Sequence, residues 1–155
     1  MRTVYSTLLI LLLAACTAGN DKTNGGDSTV LTTANIPSER TNVNPQPVKT
    51  YSEIVKSFET TDEFKVHVYE TKLTFKYLIK IAYKQLEVED TLRVPNFGRQ
   101  PAVEIMKGDS LRPSCVVGFL DKEKNFRESK LVYFDDDKIK VKVLKHYAVY
   151  QSNGE

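Results

Sequence analysis

One of the two cysteines, both histidines and a run of carboxylates are the groups in this chain best suited to covalent or metal chemistry. Cys115 would be a nucleophile if His67 or His146 served as its base, since thiolate chemistry needs a depressed pKa and a nearby imidazole. Its neighbours Val116 and Val117 argue instead for an inert thiol inside an apolar run. Asp135-Asp136-Asp137 offers oxygen ligands for calcium. Consecutive residues in a strand or tight turn point apart, however, and the alternating spacing of a calcium loop is missing, so the run reads as a solvated hairpin tip. No catalytic residue, metal or other cofactor is expected, and the chain reads as non-enzymatic.

Other residues are suited to contact rather than to chemistry. Lys138, Lys140 and Lys142 alternate with Ile139, Val141 and Val143, which places three ammonium groups on one face of a strand. Lys76, Lys80 and Lys84 make a second row. Such a face suits an acidic partner or anionic headgroups, or it is simply solvated and discourages edge-to-edge pairing. Phe97, beside Arg99 in the loop Pro95-Asn96-Phe97-Gly98-Arg99, is either a contact anchor or a plug folded back on the core. Phe97, Arg99, Lys138, Lys140 and Lys142 are therefore the partner-contact candidates.

Composition narrows the classes further. A chain of 155 residues with a formal charge of +2 suits one domain plus a tail, and its bulk electrostatics does not favour nucleic acid. The absence of Trp and the presence of only two His weaken several enzyme and glycan-binding readings.

The N-terminus supplies an address. Met1-Arg2 gives a positive start, Leu8 to Ala15 is an unbroken apolar run, and two small residues precede Cys16, as in a secretory leader. The run is too short for a membrane span, which needs about 20 apolar residues. Leu13-Ala14-Ala15-Cys16 resembles the lipobox of bacterial lipoproteins. That resemblance covers the first sixteen residues only. It implies that residues 1–15 are a signal peptide removed before Cys16, and that the Cys16 sulfur carries a diacylglycerol while its freed amine takes a further acyl chain such as palmitate. Two or more chains anchor a protein stably to a bilayer where one is marginal. Because Thr17 is not the aspartate associated with inner-membrane retention, the resemblance implies an outer-membrane location. With only Asp21 as a nearby acid, the periplasmic face is favoured over surface display. If Cys16 is lipidated, Cys115 has no partner in the chain, so no internal disulfide staples the fold.

Residues 16–49 read as the lipidated cysteine and a disordered tether. From Thr17 to Val48 the chain is rich in Thr, Asn, Gly, Ser and Pro and has no aromatic residue, so it cannot bury enough apolar surface to offset its ordering entropy. A flexible coil of about 32 residues reaches roughly 30 Å. Within it, Ser28 to Thr33 has enough β character to add an edge strand instead.

Residues 50–151 read as the folded domain. Thr50-Tyr51-Ser52-Glu53 has the form of a capping box, with Tyr51, Ile54, Val55 and Phe58 at helical spacing, which predicts a short helix. From Phe64 the period becomes two. Phe64, Val66 and Val68 share one face, and alternation from Leu73 to Tyr83 favours a strand over a helix. Glu89-Asp90 between Leu86-Val88 and Leu92-Val94 suggests a bend or hairpin before Pro95. Val103 to Ile105 resumes the alternation, Cys115 to Leu120 is apolar on both faces and predicts a central strand, and Lys130 to Phe134 and Lys138 onward follow. The sum is a mainly β antiparallel sandwich of roughly seven or eight strands with a short helix at its start.

An anchor, a slack tether and a small domain are the parts of a recruiting module. The leading expectation is a lipoprotein that binds another cell-envelope protein, as an accessory subunit of a secretion or envelope complex. A small-molecule or glycan binder using Tyr69, Tyr147 or Tyr150 is the alternative, and a cysteine-dependent enzyme the third reading.

Overall fold

Alternation of period two turns the apolar side chains of a segment to one side, and nearly every such segment between Lys49 and Val143 becomes a strand. The computed structural model describes residues 36–109 and 111–147. In order the strands are β1 (Lys49–Lys56), β2 (Thr61–Glu70), β3 (Lys76–Tyr83), β4 (Leu86–Arg93), β5 (Val103–Lys107), β6 (Ser114–Leu120), β7 (Phe126–Asp135) and β8 (Lys138–Val143). They form two antiparallel four-stranded sheets, β1-β2-β3-β4 and β5-β6-β7-β8, each a meander. The fold is thus mainly β and consistent with the expected sandwich. The leader 1–15, Cys16, the Ser28 to Thr33 stretch and Tyr150 lie outside the described residues.

Between the sheets, Phe64, Val66 and Val68 of β2 and Tyr77, Ile79, Ile81 and Tyr83 of β3 meet Cys115, Val117 and Phe119 of β6 and Val132 of β7, all buried. Tyr83 meets Phe134 edge-on with ring centroids 4.6 Å apart, joining one sheet to the other. Charged groups close the sides. β1 lies beside β5 through Lys49–Glu104 at 2.9 Å and Glu53–Lys107 at 3.2 Å, and Asp90 of β4 reaches Lys130 of β7 at 2.6 Å.

Two local expectations are corrected. The capping-box segment is not a helix: residues 49–56 are strand β1, in register with β2 from Lys49 opposite Val68 to Lys56 opposite Thr61. Period two lets Tyr51 and Val55 pack on the core, with Tyr51 edge-on to Phe64, whereas helical spacing would have grouped them with Ile54 and Phe58, which are exposed. Pairing along eight residues overrides a local cap. Nor does Glu89-Asp90 bend the chain, since β4 runs unbroken from Leu86 to Arg93. Asp90 faces inward because Lys130 meets it there, and Glu89 faces outward onto Lys80 at 3.0 Å.

At the N-terminal side, residues 37–48, placed in the tether by composition, are bonded to the first sheet. Thr74 N–H donates to the Ser38 carbonyl at 2.9 Å, Arg40 N–H to Lys72 at 2.8 Å and Val48 N–H to Val68 at 2.8 Å. The Arg40 guanidinium donates to the carbonyls of Thr71, Leu73 and Thr74 at 2.8, 2.6 and 2.6 Å, pairs with Glu70 at 3.2 Å and lies over the Tyr77 ring. The folded region therefore begins by Pro37. A strap with so few apolar side chains is held by its backbone groups and one arginine, which hydrophobic patterning does not report.

Candidate functional site

Cys115 occupies the inner face of β6, fully buried. Burial, with Glu53 nearby, pushes its thiol up to about 12, the opposite of an activated nucleophile. His67 sits between buried Val66 and Val68 on β2 and so points to the outer face of the other sheet, opposite Thr50 and Lys80. His146 is exposed beyond β8. The structure does not bring thiol and imidazole together.

The aspartate run forms the β7–β8 turn, with Asp136 and Asp137 at φ 49° and 56°, the left-handed pair that a two-residue hairpin of this twist requires. Lys140 Nζ closes the turn from outside, 2.9 Å from Asp135 and 2.6 Å from Asp136. The hydrogen bond from Lys140 is the main cause holding the Asp135 carboxyl below its ordinary value, and the two carboxylates in turn raise Lys140. A cation already fills the place a metal would take. Among the described residues, no cluster of three or more His, Cys, Asp or Glu is arranged to hold an ion.

Phe97 and Arg99 face the domain itself. Phe97 packs on the core, its ring centroid 5.8 Å from that of Phe119. The Arg99 guanidinium donates to the carbonyls of Leu120 and Asp121, so the loop from β4 to β5 is fastened across one end of the sandwich. Asp121 fastens the adjoining turn, accepting from Glu123 N–H at 3.0 Å, Asn125 N–H at 2.8 Å and Arg127 Nε at 2.6 Å. Burial pushes its carboxyl upward, but Asn125 and Arg127, with Glu123, outweigh it and hold the pKa low. A depressed folded-state pKa gives stability that is present above the unfolded value and lost as pH falls through the folded one. Thermal melts should therefore show Asp121→Asn less stable than the parent at pH 7, with the gap shrinking below about pH 4. A gap independent of pH would show that the charge of Asp121 contributes nothing.

The remaining candidates do share a surface. Lys138, Lys140 and Lys142 lie on the outer face of β8, since the intervening Ile139 and Val141 pack on the core. Beside them, register places Lys142 opposite Leu131, Leu131 opposite Val116 and Val116 opposite Met106, one row across all four strands. The next row joins Lys140 to Tyr133 and Ser114, and Arg112 lies over the Tyr133 ring at 4.3 Å. Leu120 and Phe126 face each other further along, where a Cβ on Gly118 would meet the Arg127 carbonyl and come within 2.8 Å of the Phe126 ring. Glycine there lets that ring lie against the strand. Met106 is 50% exposed, Val116, Leu120, Phe126, Leu131 and Tyr133 are partly buried and Ser114 is covered, so the outer face of the second sheet is apolar at its centre and basic along β8.

The outer face of the first sheet is built differently. Its central rows read Thr50, His67, Lys80, Glu89 and Ser52, Lys65, Ala82, Glu87, with Lys80 paired to Glu89 and Lys65 to Glu63. That is the solvated face an antiparallel sheet ordinarily presents. Sequence reading located the lysines of β8 but missed Met106, Val116, Leu131 and Tyr133. The signal is present in β6, which is interior to its sheet as expected, but its second apolar set, Val116 and Leu120, faces outward.

No family model matches the chain, and neither the curated proteins nor the solved structures compared with it provide a match.

Proposed function

We propose that this chain is a lipid-anchored protein of the bacterial cell envelope whose sandwich binds another envelope protein, as an accessory subunit of a secretion or envelope complex. The observation that carries the binding half is the apolar row Met106, Val116, Leu131 on an outward sheet face, ending on Lys142. Contiguous outward apolar surface of this kind marks interaction sites in soluble domains. The anchoring half rests on Leu13-Ala14-Ala15-Cys16, with the outer membrane and its periplasmic side favoured by Thr17 and Asp21. Among the described residues no helix is long and apolar enough to cross a membrane.

A small-molecule reading has less behind it. A hollow of about 570 Å³ lies at the hairpin tips among Thr60, Asp62, Lys84, Leu86, Phe134 and Asp137, and neither Tyr69 nor Tyr147 lines it. Tyr147 is turned inward, with its ring 4.9 Å from Phe119 and its hydroxyl donating to the Glu128 carbonyl.

Two measurements test the proposal. Mass spectrometry of the native protein should find an acylated N-terminal Cys16, and an unmodified chain would remove the anchor. Pull-downs from crosslinked envelopes should return one specific protein with the parent and lose it with Val116→Asp/Leu131→Asp, at an unchanged fold by circular dichroism. Equal recovery with both would move binding off this face.

A further inference from the structure

We infer that the outer face of the second sheet takes a protein segment whose apolar side chains are flanked by carboxylates, with Lys138 and Lys142 as the charge contacts and Lys140 withheld. This rests on the protein-binding reading and adds the chemistry of the partner.

The three lysines look equivalent along β8, but their surroundings divide them. Lys140 is held by Asp135 and Asp136 at the turn. Lys138 and Lys142 are exposed, and among the described residues neither forms an ion pair, whereas Lys65 and Lys80 on the opposite face are each matched within the domain. Lys142 also stands at the end of the apolar row. Covering that row would bring the two free ammonium groups to the rim of the contact, where complementary charge sets orientation and partner choice.

Other occupants fit less well. A bilayer would require apolar groups that reach about 5–10 Å into the headgroup boundary. Here they lie within a sheet surface, with Met106, Val116 and Leu131 side by side along one row of register. A second copy of the chain would have to offer carboxylates to the lysines. The two carboxylates on the same face, Glu104 and Glu128, are already taken by Lys49 and Lys145, each at 2.9 Å, so a symmetric face-to-face copy would meet the lysines with paired acids.

The test places a photoreactive benzoylphenylalanine at Met106, and as control at Thr50 on the opposite face, in the full chain made in its own cells. Adducts are then mapped by mass spectrometry. The Met106 adduct should fall in a partner segment bearing Asp or Glu around apolar residues. Lys138→Glu/Lys142→Glu should lower its yield about tenfold, Lys65→Glu/Lys80→Glu should not, and changing the mapped carboxylates to lysine should restore it with the reversed chain. A mapped segment without acids, an adduct with lipid or with a second copy, or a yield indifferent to the lysines would overturn the inference while leaving open what the face binds. No protein adduct from Met106 at all would sink the protein-binding reading itself, and the inference with it.

Discussion

Phe119→Ala is expected to destabilise the domain by about 4 kcal/mol, the range for deleting a fully buried ring that neighbours cannot collapse to replace. Phe119 has no exposed surface and sits on the inner face of β6 between Phe97, 5.8 Å away, and Tyr147, 4.9 Å away and nearly perpendicular. Those two rings come from the loop between the sheets and from the segment after β8, so removing the ring they share should loosen both ends of the second meander together. Urea unfolding would show the midpoint shift. Phe97→Ala should show a smaller loss in the same assay, about 2 kcal/mol, because Phe97 is only partly buried. If Phe97→Ala left the midpoint unchanged, its ring would be contributing nothing to the core and the contact-anchor reading would return.

Phe97 illustrates where sequence stops. A large apolar residue in a loop of Pro, Asn and Gly is equally compatible with outward display and inward plugging, because the choice depends on which strand end the loop crosses. Alternation, by contrast, is local. It carried Phe64 to Val68, Tyr77 to Tyr83 and Ile139 to Val143 to their correct faces, because one step of register would have exposed the whole set. It failed at Thr50 to Phe58, where the capping-box spacing and the strand spacing share Tyr51 and Val55 and only the partner strand β2 decides between them. It failed again at Asp90, an acid that faces inward because Lys130, 40 residues later, meets it.

The site was legible in halves for the same reason. Three lysines at every second position are visible in one strand. The row Met106, Val116, Leu131 draws one residue from each of three strands and exists only once register is known. Val116 alone is an ordinary valine in an apolar run. The separation of Lys140 from Lys138 and Lys142 is local to one hairpin but conformational, since it depends on the turn folding Asp135 and Asp136 toward one ammonium group.

Arg40→Ala should detach the strap that leads into the sandwich while leaving the two sheets intact. The Arg40 side chain is 8% exposed and satisfies the carbonyls of Thr71, Leu73 and Thr74 and the Glu70 carboxylate at once. Hydrogen bonds from a charged donor contribute about 1.5–3 kcal/mol each, but the acceptors regain water when the strap lifts, so the net local loss is about 3 kcal/mol. The loss is local because nothing else in residues 37–48 belongs to the buried core. Limited proteolysis should cut the variant within 37–48 much faster than the parent, and hydrogen exchange should rise at the amides of Arg40, Val48 and Thr74, each of which donates across this junction. Arg40→Lys should restore little, because a single ammonium group cannot span three carbonyls and a carboxylate as a planar guanidinium does. If the variant instead melted as a whole at much lower temperature, the strap would be an integral part of the sandwich.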